Sequence, residues 1–512
     1  MREPSPRYRR DKKVGFEPER NLAGIYWSGN VVASPQPPNL HGQARTMNSH
    51  SGAKWARWAI ILLAISCSKV TASDLDKTLD QIRLKNNVAG LHIVTFKHGH
   101  YRGISLGVAN RQSKQALQPE HYIRLGSVSK LFLGLTSLGL ERTGTIRLDV
   151  PIDKWGQAPL NNPWHGSHPV TLAQLLEHTA GFTDMSAAEW NSKSPLSLKE
   201  ALAVDPSSRR VKWRPGEHSS YSNSGAGVAA LVIEKATGRD YRKLVQKAVF
   251  DPLGLESATY NYTDSVKKDL ITGYDTDGVT PIPYWHTLYP AFGGINLRIK
   301  HMSNLLAFFS NNGAVANRQV FSPKEMRRIR TPTTTLAAKS GLEHGYGLGL
   351  YAYSSNGIEL VGHGGDADGY LTHIAFSKDI GVGYLVVINA FNHRAMRRIK
   401  SAVEEHLIRD LNKPEPLSSF SLSENRIKAL TGAYEPVTHR FKKGISMEIF
   451  SRSAALFTKI NNTVRPLIAV SNIHFRRPWE PNATIAIIES NDERYFQSDA
   501  GNYRWVGDPS AE

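Results

Sequence analysis

Tyr122-Ile123-Arg124-Leu125-Gly126-Ser127-Val128-Ser129-Lys130-Leu131-Phe132 is the stretch of this 512-residue chain that decides its fold. Residues 122–126 read as a strand, and apolar residues at helical spacing (131, 132, 135 and 138) follow the serine, which predicts a strand that turns directly into an apolar helix. Ser127 and Lys130 then share one helix face, so the amine reaches the hydroxyl. The serine also lies at a helix N-terminus, whose positive potential favours a developing oxyanion.

The Ser-x-x-Lys spacing occurs four times in the chain, so the spacing alone does not select a site. The other three matches begin with the serines at positions 51, 66 and 265, which lie in a leader-like region or in a charged stretch. Only the match at 127 joins a strand to an apolar helix, where desolvation moves a lysine toward its neutral, basic form. We therefore predict Ser127 as a nucleophile and Lys130 as its activating base.

Tyr221-Ser222-Asn223 is a second candidate element, at the start of a mostly small and apolar helix that runs to Thr237. A phenol and an amide two residues apart at a helix start can both face one cleft. There, the phenol can relay a proton to a leaving group, and the amide can hold the lysine and the substrate. A helix cap with a core tyrosine is the alternative interpretation of this pattern.

His363-Gly364-Gly365 is a third candidate element, because it ends a predicted strand and opens a glycine-rich segment. Glycine lets a ligand approach the backbone, so Gly364 and Gly365 are predicted to contact substrate. The backbone N–H of Asp366 is predicted as an oxyanion donor. A glycine-rich β-turn without a site is the alternative.

Over about residues 75–410, these elements resemble the serine β-lactamase-related family, in its order and roughly its spacing. That family groups class C β-lactamases, D-alanyl-D-alanine carboxypeptidases, D-aminopeptidases and some esterases. Flanking segments resemble it too: Leu175-Leu176-Glu177-His178-Thr179-Ala180-Gly181, Pro252-Leu253-Gly254, Gly293-Gly294 and Tyr346-Gly347-Leu348-Gly349. The resemblance implies an α/β fold, an antiparallel sheet flanked by helices with a mostly helical insertion at about 135–290 and the cleft between them.

Carried over by position, the resemblance implies a role for each candidate. Ser127 would be the acylated nucleophile and Lys130 its base. Tyr221 would be the proton relay and Asn223 a polar contact. The backbone N–H groups of Ser127 and Asp366 would be the oxyanion donors.

The third element departs from classical β-lactamases, which carry lysine-threonine-glycine there. His363, with an ordinary pKa of ~6.5, is largely neutral at neutral pH, whereas a lysine is a permanent cation facing the substrate carboxylate. We expect weaker recognition of such a carboxylate, so esters and D-amino-acid peptides or amides join β-lactams as candidate substrates. The alternative function is that of a catalytically silent, penicillin-binding-like protein that binds cell-wall peptide or a protein partner.

The charge and composition indicate which kinds of molecule the protein binds. The formal net charge is +18, but residues 1–73 hold 11 Lys and Arg against 4 Asp and Glu, and the remaining excess is spread without a basic block. We therefore expect a small-molecule or peptide substrate and no nucleic acid. His98 and His100 flank a turn without a third ligand at suitable spacing, so we predict no metal and no cofactor.

The N-terminal region is predicted to be a leader that is not part of the enzyme. Residues 1–46 lack a hydrophobic period, so we expect them to be disordered or an over-extended gene start. The apolar run 59–65 follows Lys54 and Arg57, as in a signal peptide. Residues 70–72 offer a cleavage site, and Cys67, the one cysteine, ends a weak lipobox. We expect a periplasmic or secreted protein, with membrane attachment only through a lipidated Cys67.

The predicted domain organisation has three parts. Residues 1–73 form the leader, residues 74–412 form the serine hydrolase domain, and residues 420–512 form a small β-rich domain. The boundary is placed at Lys413-Pro414-Glu415-Pro416, because two prolines interrupt regular structure there. Beyond it, apolar and polar residues alternate, which is typical of strands.

Overall fold

The computed structural model describes residues 25–27, 73–156, 158–377, 379–438, 445–498 and 501–507. The predicted signal segment, Cys67 and the proposed cleavage site lie outside the described residues. Among those that are described, no helix is long and apolar enough to cross a bilayer.

Strands and helices alternate along the chain. The strands are β1 (Ile25–Trp27), β2 (Gly90–Lys97), β3 (His100–Asn110), β4 (Gln115–Ala116), β5 (Tyr122–Arg124), β6 (Asn191–Ser192), β7 (Gly273–Tyr274), β8 (Pro281–Ile282), β9 (His286–Thr287), β10 (Asn296–Arg298), β11 (Ala314–Val315), β12 (Arg318–Gln319), β13 (Tyr351–Ser355), β14 (Ile358–Ala367), β15 (Tyr370–Ser377), β16 (Val382–Ile388), β17 (Gly432–Pro436), β18 (Met447–Arg452), β19 (Ala455–Ile460), β20 (Thr463–Ala469), β21 (His474–Arg476), β22 (Ile485–Ser490), β23 (Glu493–Ser498) and β24 (Gly501–Gly507). The helices are α1 (Asp74–Lys85), α2 (Ser129–Arg142), α3 (Leu172–Leu176), α4 (Leu198–Ala203), α5 (Asn223–Thr237), α6 (Tyr241–Val245), α7 (Asp264–Asp269), α8 (Pro290–Gly293), α9 (Met302–Ser310), α10 (Pro323–Arg328), α11 (Leu336–Lys339), α12 (His393–Ile408) and α13 (Glu424–Leu430).

The main sheet is antiparallel, with strand order β1-β3-β2-β16-β15-β14-β13 and β4 paired to β3. Its central strands β2, β15 and β16 are buried over nearly their whole length, so apolar residues lie on both of their faces. On β16, Leu385 packs into the cluster that contains α2, α5 and α9, whereas its neighbour Tyr384 packs into the cluster that contains α1 and α12. Helices therefore cover both faces of the sheet, as the resemblance implied, and the predicted α/β fold is confirmed.

Strand β1 lies inside the segment that we expected to lack structure. Its three residues pair with β3, with Ile25 opposite Ser105 and Trp27 opposite Gly103. Isoleucine, tyrosine and tryptophan favour strands, and the outer edge of β3 offers unpaired backbone groups. The expectation of an unstructured leader therefore does not apply to residues 25–27, while the rest of residues 1–72 stays a prediction.

The C-terminal region is a closed eight-stranded barrel, β17 to β24, which confirms the predicted small β-rich domain. Its interior is apolar, with Tyr434, Phe475 and Ile487 fully buried. A separate apolar cluster joins the barrel to α11 and includes Ala337 from the helix and Ile488 from β22. The barrel is therefore packed against the hydrolase region through its own buried contact.

Candidate active site

The serine lies where the strand β5 turns into the helix α2. The turn Gly126–Val128 is a 3-10 turn that leads directly into α2, so the first turn is tighter than the predicted α-helix. Gly126 has φ +53, and a Cβ there would lie 2.6 Å from the carbonyl oxygen of Asp366. Glycine is therefore required twice, for the backbone conformation and for the close approach. Ser127 is half-buried at the end of this turn.

Lys130 is buried beside the serine, with 4% of its surface exposed. Its ammonium donates to Ser127 Oγ at 3.2 Å, to Asn223 Oδ1 at 2.6 Å and to the Phe292 carbonyl at 3.2 Å. The nitrogen also lies 4.7 Å from the centre of the Tyr221 ring. Two of the three predicted elements thus meet at one amine, which the hydroxyl can use as a proton acceptor once the lysine is neutral.

Asn223 is held by a carboxylate that the sequence analysis did not select. Asp184 Oδ1 accepts the Asn223 backbone N–H at 2.7 Å, and Oδ2 accepts its side-chain amide at 3.0 Å. A carboxylate only accepts hydrogen bonds when ionised, so it binds the NH₂ end of the amide. The amide oxygen is therefore the end that faces Lys130.

Tyr221 precedes α5, whose N-cap is Ser222, and its ring is partly exposed. His178 packs against this ring with centroids 4.2 Å apart, and the His178 Nδ1 accepts the Ser222 backbone N–H at 3.2 Å. Tyr346 also packs against this histidine, with ring centroids 4.5 Å apart, and its ring centre lies 6.0 Å from that of Tyr221. These contacts fix the position of the Tyr221 ring beside Lys130.

His363 lies on β14 and is only 3% exposed. Its Nδ1 lies against the Gly364 carbonyl, which can only accept, so Nδ1 carries the proton and Nε2 accepts from the Tyr346 hydroxyl at 2.8 Å. Burial, with a smaller contribution from the charge of Lys130, lowers the pKa of His363 to about 3. His363 therefore lies beside the site as a neutral imidazole.

The backbone of the third element packs directly on the backbone of the nucleophile turn. A Cβ on Gly365 would lie 2.0 Å from the Leu125 carbonyl oxygen, which excludes any side chain at this position. Asp366 follows next on β14, and its backbone meets Gly126. The backbone of Asp366 is thus brought next to Ser127, as an oxyanion site requires, and Gly364 lies beside it, partly exposed.

The Beta-lactamase family profile matches residues 75–407, which is most of the chain. The chain belongs to the Beta-lactamase family. The match ends before the barrel begins at β17.

Individual members of the Beta-lactamase family are distant. A "Beta-lactamase" of Escherichia coli K12 is 25% identical over 219 residues, 42% of this chain and 56% of that protein, so the match spans little more than half of the relative. The "D-alanyl-D-alanine-carboxypeptidase/endopeptidase AmpH" of the same strain is 21% identical over 356 residues, 68% of this chain and 91% of that protein.

A solved structure is similar in fold across both regions. The octameric penicillin-binding protein homologue from Pyrococcus abyssi aligns with a TM-score of 0.56 and 20% identity, covering 84% of this chain and 99% of that one. At this identity the likeness concerns the fold alone.

The site of this Beta-lactamase family member contains residues to which the sequence analysis gave no role. His178 and Tyr346 belong to segments that were noted as family-like, so their positions were signalled but their contacts were not. Asp184 follows a loop without any motif of its own. Its function depends on a contact across 39 positions in the chain, which no local pattern reveals.

Proposed function

We propose that this chain is a serine hydrolase that works by acyl transfer through an acyl-enzyme on Ser127. The observation that carries the proposal is the position of Lys130, whose nitrogen lies 3.2 Å from Ser127 Oγ in a buried site. Desolvation favours a neutral lysine, and a neutral lysine is a base for the serine hydroxyl. Family membership supports the same chemistry.

The proposed reaction has two halves, the acylation and the deacylation of Ser127, and the same groups act in both. Ser127 Oγ attacks the substrate carbonyl carbon while its proton passes to Lys130. The backbone N–H groups of Ser127 and Asp366 stabilise the oxyanion that forms. Tyr221 delivers its proton to the leaving group as the carbon–leaving-group bond breaks, and the proton held by Lys130 restores the Tyr221 phenol. Water then attacks the carbonyl carbon of the acyl-enzyme and gives a proton to Lys130. The bond from that carbon to Ser127 Oγ breaks, Oγ takes a proton back, and the acid is released.

The substrates that the site favours are esters and D-amino-acid amides, ahead of β-lactams and of peptides that end in a carboxylate. The reason is the neutral state of His363, which provides no cation for a substrate carboxylate. Arg298 does not replace that cation, because its guanidinium pairs with Asp269 at 2.8 Å. β-Lactams stay candidates because distant relatives carry that name.

The test is covalent labelling followed by intact mass measurement. The purified chain and its Ser127→Ala variant are treated with a fluorophosphonate, a fluorescent penicillin and p-nitrophenyl esters. We expect one adduct, on Ser127, and turnover of esters that the variant loses. An adduct on Ser265 or Ser222 refutes the assignment. Absence of labelling and turnover with retained peptide binding instead supports the silent binding protein.

We further propose that the protein is exported. The support is the short apolar run behind positive charges at residues 54–65. N-terminal sequencing of the protein from its native host is expected to give a start near Ser73 or at a lipidated Cys67. A cytoplasmic protein that retains residues 1–46 refutes this proposal.

A further inference from the structure

A cavity of about 460 Å³ lies beside Tyr221, between the hydrolase region and the barrel. Tyr221, His178 and Tyr346 form the wall toward the candidate active site, and Thr438, Gly501 and Asn502 form the wall contributed by the barrel. Its volume falls in the range of small-molecule sites, about 300–1,000 Å³. The barrel thus borders a space that begins at a proposed catalytic side chain.

The barrel wall is held in place by hydrogen bonds to the segment that precedes Tyr221. Asn502 Nδ2 donates to the Ser219 carbonyl at 2.8 Å, and Thr438 Oγ1 donates to the same carbonyl at 3.0 Å. Gln497 Nε2 donates to the Glu217 carbonyl at 2.8 Å. The cavity is therefore bounded by hydrogen-bonded groups on both sides, which gives it a fixed shape.

One side chain in the lining can be replaced without loss of a hydrogen bond. Ser220 is 6% exposed and lines the cavity, and its buried Oγ has no hydrogen-bond partner among the described residues. A buried polar group without a partner costs about 1–3 kcal/mol, so we expect a less polar side chain to be tolerated at this position.

The remainder of the lining is neutral and largely aromatic. Glu177, the one carboxylate in it, pairs with Arg328 at 2.6 Å and accepts from Thr334. The phenol hydroxyls point to partners elsewhere, Tyr346 to His363 and Tyr353 to Glu404. These tyrosines therefore offer their rings to a ligand, and no charge in the lining is left uncompensated for an ionic one.

We propose that this cavity binds the leaving group of the substrate, and that the leaving group it selects is uncharged and mainly apolar. The proposal rests on the proposed function. In that reaction Tyr221 protonates the leaving group, so the departing alcohol or amine lies on the Tyr221 side of the serine. The barrel then contributes part of the substrate specificity.

The test fills the cavity after the protein has folded. In a Cys67→Ser background, Ser220→Cys places one thiol in the cavity, and methanethiosulfonate reagents add either a methyl or a benzyl group to it. Two acetate esters are compared, one with a trifluoroethyl and one with a 2-naphthyl leaving group. Ser354→Cys is the matched control, because its parent hydroxyl is also without a partner among the described residues, yet it does not line the cavity.

We expect the benzyl adduct at position 220 to lower kcat/KM for the naphthyl ester at least tenfold and for the trifluoroethyl ester less than twofold. The methyl adduct and all adducts at position 354 should have little effect, and reduction should restore activity. Equal losses for both esters, or a thiol at 220 that does not react, overturn the proposal. Fluorophosphonate labelling of Ser127 is measured in parallel, and its absence in the parent protein refutes the proposed function instead.

Discussion

Asp184→Asn is the substitution that tests how the site orients its amide. Asp184 Oδ1 accepts backbone N–H groups from Asn223 at 2.7 Å and Met185 at 2.8 Å, while Oδ2 accepts the Asn223 side-chain amide at 3.0 Å. An asparagine at 184 keeps one acceptor oxygen and replaces the other by a donor. If the oxygen keeps the backbone bonds, two NH₂ groups face each other, and Asn223 turns its NH₂ toward Lys130.

The magnitude follows from the bond that is lost. Asn223 Oδ1 accepts from Lys130 Nζ at 2.6 Å, and this becomes a hydrogen bond to a charged group in the transition state, when Lys130 takes the proton of Ser127. Such bonds contribute about 1.5–3 kcal/mol, and each 1.36 kcal/mol is a factor of ten, so we expect a loss of roughly ten- to a hundred-fold in kcat/KM. The pH–rate profile should also shift, because the groups that surround the amine have changed.

The assay is the second-order rate of fluorophosphonate labelling of Ser127 across a pH series, with melting temperature measured on the same samples. Asp76→Asn is the matched control, because Asp76 is also a buried carboxylate and binds Arg102 far from the site. The control should lower stability without changing the profile. If Asp184→Asn lowers only the melting temperature, or leaves labelling within twofold, the orienting role is wrong.

Three further predictions concern the buried histidines, the side chain at position 363 and the contacts made by the barrel. Burial lowers the pKa of several histidines, to about 3 for His92 and His363, to about 4 for His218 and well below the usual value for His373, whereas the unfolded residues bind protons below about 6.5, so stability is lost as the pH falls through that window. At about pH 5.5 the loss is about 1.4 kcal/mol for each of these residues, so the free energies of unfolding at pH 5.5 and pH 7.5, measured with denaturant, should differ by at least about 4 kcal/mol; a flat profile contradicts it. His363→Lys should lower the free energy of unfolding by about 3–5 kcal/mol, because it buries an unpaired cation, and it should slow the labelling of Ser127. Faster cephalosporin turnover at an unchanged melting temperature would show instead that the site accepts a cation. A chain that ends at Lys413 should melt earlier and label more slowly, since segment 217–220 loses its barrel contacts; labelling at the full rate means that the barrel is dispensable.

The local sequence pattern was enough to predict contacts between residues that are close together in the chain. Ser127 and Lys130 are three positions apart on one turn, so their contact follows from helix geometry. The antiparallel sheet and its helical cover followed from the family resemblance. The C-terminal strands followed from alternation alone, as in β18 and β22.

The remaining features depend on contacts between distant positions. The neutral state of His363 was expected from its ordinary pKa, but the deeper cause is burial beneath Tyr346, which no pattern around residue 363 reveals. Likewise, two prolines suggested a boundary near residue 414, yet Asn502 reaches back 283 positions to Ser219. Composition locates a linker, but it does not report whether the regions on either side are energetically independent.

The backbone contact between Gly126 and Asp366 bears on how such a site changes during evolution. Because no side chain separates the two segments, no rotamer change can widen or narrow the gap between them. Mutations elsewhere can therefore reshape the walls around the serine, including the wall that the barrel supplies, while the spacing of the proposed oxyanion donors, Ser127 and Asp366, stays constant. Substitutions in the walls of the site can therefore change which substrates it accepts, while the backbone contact between Gly126 and Asp366 stays the same.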